Sequence, residues 1–203
     1  MFTSSVQQKQ RAEGSFETYA RMSARDAPDG LGADEKDFLS ARTSCYLATV
    51  SETGWPYVQH RGGPAGFIKL LDTETIAFAD YRGNRQLVST GNLDQNAKVS
   101  LFAMDYPRKA RLKLQGYASV HGIDDDADLA AQVATEGEGK PERIMVIKVA
   151  AFDWNCPQFI TPRFDTSELA ALVGPEITRL ENRVAELEAE LAEHRLKEER
   201  KPI

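Results

Sequence analysis

Three segments of this 203-residue chain gather glycine, arginine and amide side chains at spacings that suit an anionic or flat ligand. The first is His60-Arg-Gly-Gly-Pro-Ala-Gly66, set between two apolar runs. Gly62 and Gly63 either let a flat ligand approach the backbone beside Arg61 or simply form a loop. The second is Tyr81-Arg-Gly-Asn-Arg-Gln86, at a strand-to-helix junction. Open backbone N–H groups at a helix start, with Arg82 and Arg85 beside them, would bind an anion; the alternative is a solvated charged turn. The third is Asp153-Trp-Asn-Cys-Pro-Gln158, which either caps a ligand or closes the end of a sheet. A further run, Pro107–Lys113, holds four basic residues in seven and reads as a solvated hairpin tip, with Arg111 placed to point inward.

Other chemistries find little support. The histidines are His60, His121 and His194, and no HExxH, HxH or His/Cys metal spacing occurs, so no metal site is expected. Cys45 lies inside an apolar run as a small hydrophobe, and Cys45 and Cys156 form no CxxC pair or disulfide framework. There is no GxSxG and no P-loop. His60 alone titrates near neutrality at the proposed site, as a catalytic group or a backbone-bonded strand end. Lys plus Arg number 25 against 31 Asp plus Glu, a net charge of -6, which argues against general nucleic-acid binding. No apolar run approaches a membrane span, the start lacks a secretory signal, and a cytoplasmic location is expected.

The elements that must position these residues follow from periodicity. Residues 1–32 form a polar arm with one helical face of Phe16, Tyr19 and Met22, and Asp26–Gly32 breaks the helix. Residues 34–42 make a short helix that opens on acids. CYLATV, PYVQH, GFIKLLD, TIAFAD, VSLFAMD, RLKLQGYASV and RIMVIKVAAFDW read as about seven short strands. Their connections are mostly too short for parallel crossovers, so the sheet is antiparallel, with closure into a small barrel as the economical way to hide its edges. Helices over roughly 84–95 and 125–134 interrupt the strands, the second ending before the Gly-rich loop TEGEGKP. From 166 to 200, Ala170, Val173, Ile177, Leu180, Val184, Leu187, Leu191 and His194 alternate steps of three and four, the seam of a coiled coil.

The segments YLATVSETGWPYVQHRGGPAGFIKLLD, FADYRGNRQLVSTGNLDQNAKVSLFAMD and DWNCPQFI together resemble the flavin-nucleotide-binding branch of the pyridoxamine 5'-phosphate oxidase-like split-barrel superfamily. The resemblance runs from about Asp34 to Phe164. It implies a mainly β fold with peripheral helices: a six-stranded antiparallel split β-barrel that dimerises with FMN at the interface, here extended by the C-terminal coiled-coil helix. The domains would be an arm over 1–32, the barrel over 33–165 and the coil over 166–203. The family's phosphate clamp falls on Gly83, Asn84, Arg85 and Gln86, where Asn-Arg-Gln replaces Ser-Arg-Lys and leaves Arg85, with Arg61, to neutralise the phosphate. His60, Gly62, Gly63, Asp80 and Tyr81 complete that side of the cofactor site. A position that often offers Gln to the flavin falls on Arg111, and Trp154, Asn155 and Pro157 would reach the flavin of the other subunit.

The vitamin B6 oxidases end in an Arg-Leu-x-Pro segment; here TPRF is followed by the coil, so genuine pyridoxamine phosphate oxidase activity is not expected. A haem-degrading relative would rely on an added His-bearing segment, which His194 matches poorly. Two functions remain: an FMN-dependent oxidoreductase acting on a small molecule, or a flavin carrier or sensor whose coil recruits a partner. A deazaflavin is the other cofactor that related barrels bind.

Overall fold

The computed structural model describes residues 1–25, 30–135 and 141–199, without the side chains of 22–25 and 196–199. The break expected at Asp26–Asp29, the Gly-rich loop over 136–140 and the last four residues lie outside them. The described chain divides into two units, Met1–Ile160 and Thr161–Ile203.

In the first unit, helices α1 (Ser4–Ala12), α2 (Phe16–Arg25) and α3 (Ala33–Ser40) precede the strands. The strands are β1 (Ser44–Val50), β2 (Pro56–Gly62), β3 (Lys69–Leu70), β4 (Thr75–Tyr81), β5 (Lys98–Asp105), β6 (Ala110–Gly122) and β7 (Pro141–Trp154). Helix α4 (Val88–Gln95) leads into β5, and α5 (Ala127–Val133) lies between β6 and β7. All pairings are antiparallel, in the order β2-β1-β5-β6-β7-β4-β3. The resemblance implied six strands closed into a barrel. The hydrogen-bonded ladder instead has seven strands and is open between β2 and β3.

Alternation decides which residues face inward. Cys45, Leu47 and Thr49 of β1, Val99, Leu101 and Ala103 of β5, and Leu112, Leu114 and Ala118 of β6 are buried. All but Thr49 meet Phe67, Ile68, Ile76, Phe78, Met145 and Ile147 in one core. Strand β4 is buried over five consecutive residues because both of its faces are covered. Its Ala77 and Ala79 belong to a second cluster with Ile144 and with Val133 of α5. Burial pushes the Cys45 thiol up to about 12, against a smaller opposing pull from Arg61. Helix α3 is tied down by the buried Arg42, just beyond it, which donates to Asp105 at 2.6 Å and to the Met104 carbonyl at 2.9 Å.

The structure corrects several boundaries. The arm holds two helices where one was expected, separated at Gly14, whose φ of +73° stops α1. Of the run GFIKLLD only Lys69 and Leu70 pair as strand, although Phe67 and Ile68 are core residues. The helix expected from residue 84 begins at Val88. Arg85 and Leu87 have φ near +58° and +55°, a left-handed conformation that a right-handed helix cannot contain.

The second unit contains α6 (Thr166–Glu199), which continues through Pro175. Ile177, Leu180, Val184, Leu187 and Leu191 of its seam are each about half exposed, as is Val173 to a lesser degree.

Gly116 marks the point where β6 and β7 shift register, between Gln115 and Gly116. A Cβ there would sit 2.4 Å from the Lys148 carbonyl oxygen and 2.9 Å from Ile147. Gly116→Ala must therefore push two paired backbones apart, and should destabilise the protein by about 1–3 kcal/mol. Urea denaturation followed by circular dichroism measures this; an unchanged midpoint would refute the close approach.

Candidate functional site

Where the ladder is open, side chains cross the gap. Arg61 of β2 donates from Nη1 to Asp80 of β4 at 2.5 Å. The other Asp80 oxygen accepts from Arg143 Nε of β7 at 3.0 Å. Asp80 and Arg143 are cross-strand partners in the β4–β7 register, and Asp80 is only 7% exposed. A buried carboxylate held between two guanidinium groups thus links the edge strand β2 to β4 and β7. Around it lies a cleft lined also by Gln59, Tyr81, the turn Gly83–Leu87 and the first residues of α4.

The turn has a specific local construction. Asn84 Oδ1 accepts the Gln86 N–H at 3.1 Å, and the left-handed Arg85 and Leu87 redirect the chain. Leu87 precedes α4 without a side-chain cap, so the first turn of the helix keeps open N–H groups beside the cleft. Ser89 donates to Gln59 at 2.8 Å and Asn92 to Thr49 at 2.9 Å, which fixes α4 against β2 and β1.

The rim is cationic. Glu142 accepts from Arg85 at 2.5 Å and lies 3.4 Å from Arg143 and 3.8 Å from Arg82. The Arg85 bond is the main reason the Glu142 carboxyl is held below the usual carboxylate range. Arg61, Arg82, Arg85 and Arg143 against Asp80 and Glu142 leave a local charge of +2. Among the described residues, Arg61 Nε in the cleft and the hydroxyl of Tyr81, whose ring packs against the second cluster beside α5, are buried without a hydrogen-bond partner. Such orphans are rare because each forfeits its hydration, so a group that pairs them gains what the free chain lacks.

The structure thus brings together Arg61, Asp80, Tyr81, Gly83, Asn84, Arg85 and Gln86. It sends His60 elsewhere. Neighbours on a strand face opposite ways, and His60 lies edge-on to Tyr46 at 5.8 Å on the outer face. The two glycines do not hold space open for a ligand: a Cβ on Gly63 would meet Phe67 at 2.7 Å, and one on Gly62 would meet the His60 ring at 3.0 Å.

A second cluster lies at the other end of β7. Arg111 of β6 donates from Nη2 to the Cys156 carbonyl at 3.1 Å, and the Asn155 N–H returns a bond to the Arg111 carbonyl at 3.1 Å. Among the described residues, Arg111 Nε and Asn155 Oδ1 are buried without a partner. Trp154 packs edge-on to Phe38 at 4.8 Å and donates its N–H to Glu35 at 2.6 Å, while Pro157 and Phe159 are exposed. Arg143 and Trp154 are eleven residues apart along β7, roughly 35 Å of strand.

Sequence reasoning missed Gln59, Ser89, Glu142 and Arg143. Gln59 was findable, because the i, i+2 rule puts it on the Arg61 face in preference to His60. Arg143 and Glu142 reach the site only through the β4–β7 register, which leaves no local signature.

The sequence profile of the pyridoxamine 5'-phosphate oxidase family matches residues 31–155. Among solved structures, the chain is similar to HupZ of Group A Streptococcus, with 18% identity over 66% of this chain and 99% of that one, at a TM-score of 0.51. It is also similar to an FMN-binding protein from Syntrophomonas wolfei subsp. wolfei, with 11% identity over 72% of this chain and 97% of that one, at a TM-score of 0.46. No curated protein matches the chain.

Asp80→Ala would leave Arg61 and Arg143 facing each other without their shared anion. Breaking a buried pair costs about 3–5 kcal/mol, and partial exposure of Arg143 places this case near about 3. Glu176→Ala, which removes an exposed pair with Arg179 on α6, should leave the unfolding midpoint unchanged. Equal effects of the two substitutions in denaturant titrations would contradict the bridging role of Asp80.

Proposed function

The chain belongs to the pyridoxamine 5'-phosphate oxidase family, and from that premise we propose that it binds FMN and acts as a flavin-dependent oxidoreductase on a small molecule. One observation carries the reading: a cleft with a surplus of two positive charges whose buried Arg61 Nε–H lacks a partner among the described residues. A phosphate monoester is close to a dianion at neutral pH and accepts several hydrogen bonds, so the residues present fit the cofactor's phosphate. Arg61, Tyr81, Arg85, the turn Gly83–Gln86 and the open N–H groups of α4 would hold it. Bound flavin supplies hydride and single-electron transfer, while the chain supplies binding, orientation and charge.

The same reading makes the protein a homodimer. Arg111, Trp154, Asn155 and Pro157 lie at the far end of β7 from Arg143, and we propose that they serve the flavin of a second copy. The orphaned Arg111 Nε–H donor and Asn155 Oδ1 acceptor support this, since both would find partners on a polar ring edge. We further propose that the seven-stranded sheet curls into a split barrel, with β2 and β4 brought together by the Arg61–Asp80 pair. The three-part organisation of arm, barrel and C-terminal helix goes with it.

The carrier or sensor reading is favoured by α6, whose exposed seam exceeds what a bare enzyme requires. We propose that this seam pairs in parallel with that of a second copy. Branched Ile177 and Val184 at a, with Leu180 and Leu187 at d, suit two strands. Arg183 then faces a partner glutamate at the position of Glu188, and Glu190 faces an arginine at that of Arg195. Glu176 and Glu181 repel, so the match is incomplete.

The purified protein should be yellow, with about one FMN per subunit. Arg85→Ala should weaken FMN about tenfold to hundredfold and leave riboflavin unaffected, because a charge-assisted bond to phosphate contributes about 1.5–3 kcal/mol. A colourless protein that takes up no FMN on reconstitution sinks the reading, and equal weakening of both ligands removes Arg85 from the clamp. Deletion of residues 175–203 should leave a flavin-loaded dimer with reduced helical signal; a flavin-free monomer would make the coil the primary interface.

A further inference from the structure

Two carboxylates serve the cationic cleft, and they differ in kind. Asp80 is buried, sits opposite Arg143 in register and joins strands; the fold depends on its staying in place. Glu142 stands at the start of β7 with a side chain 21% exposed, and its three arginine partners all belong to the cleft or its rim. The nearest of them, Arg85, lies on a turn and is 54% exposed.

We propose that Glu142 is an internal counter-anion: its carboxylate holds Arg85, Arg82 and Arg143 in the free protein, and a phosphate monoester must take its place on Arg85. Glu142 therefore sets how tightly the cleft holds phosphate. The proposal rests on the phosphate-site part of the functional reading and not on the flavin.

The opposite role would be that Glu142 orients Arg85 for the ligand. The balance of effects decides between them. A single exposed ion pair restrains an arginine weakly. A full negative charge beside a bound dianion repels it over several ångströms, well inside the distance over which salt screens exposed charges. Repulsion outweighs lost orientation. Arg85 also holds the Glu142 carboxyl below its usual range, so protonation near neutral pH cannot release the arginine; displacement by a stronger anion can.

The test is Glu142→Gln in the full-length, ligand-free protein. Glutamine keeps the length and an acceptor oxygen for Arg85 but removes the charge. Calorimetric titration with inorganic phosphate should show roughly threefold to thirtyfold tighter binding to the variant. FMN should tighten similarly and riboflavin should not change. Phosphate affinity that is unchanged or weaker in the variant overturns the proposal, as does absence of phosphate binding to both proteins. A variant that binds phosphate more tightly in a protein that never takes up FMN keeps this inference and removes the flavin reading.

Discussion

The carboxylate of Asp80 ties three strands of this molecule together. A charged side chain 7% exposed requires compensation close by, and two guanidinium groups provide it. One comes from its register partner on β7, so β4 and β7 supply a site without further cost. The other comes from β2, at the opposite edge of the ladder. The requirement to pair Asp80 therefore brings together strands that share no backbone hydrogen bonds. The β2 side of the cleft depends on that crossing. Gln59, two residues before Arg61 on the same face of β2, is positioned to receive Ser89 and so anchors the start of α4. Once α4 is anchored, its open N–H groups and the turn before it face the same small volume.

The turn is where local and global preferences disagree. Residues 84–87 fit a helical pattern, and sequence reasoning starts the helix there. Two successive departures into the left-handed region at Arg85 and Leu87 cost energy for side chains with a Cβ. They persist because the bonds from Ser89 and Asn92 to β2 and β1 fix α4 one turn later. Strain of this kind at a cationic cleft fits a binding site, where the backbone is held ready at the expense of local stability.

How far the sequence was legible follows the range of each interaction. Strands β1, β5 and β6 were legible because alternation is local, and the buried sets Cys45–Leu47–Thr49 and Val99–Leu101–Ala103 keep a strict period of two. Strand β4 could be read only as a continuous apolar run, since both of its faces are covered. The Phe67-Ile68 pair misled, because an apolar run records burial and not hydrogen bonding. At the site, Arg61 and the turn Gly83–Gln86 were legible from glycine and arginine punctuation. His60 was misplaced by proximity in sequence, which on a strand means the opposite face. Arg143 and Glu142 lie more than sixty residues beyond Asp80 and Tyr81, and only the sheet register brings them back.

The unpaired polar atoms give the last constraint. Among the described residues, buried side-chain atoms without partners are Arg61 Nε, Tyr81 Oη, Arg111 Nε and Asn155 Oδ1. Chance would scatter such atoms through the sheet. They fall instead near the two ends of β7, Arg61 and Tyr81 by its start and Arg111 and Asn155 by its end, and each end includes an arginine. The first pair offers donors to an anion, while the second offers one donor and one acceptor, as a neutral polar edge requires. Roughly 35 Å of strand separates these two places along β7, so the unpaired atoms mark two separate features of one sheet.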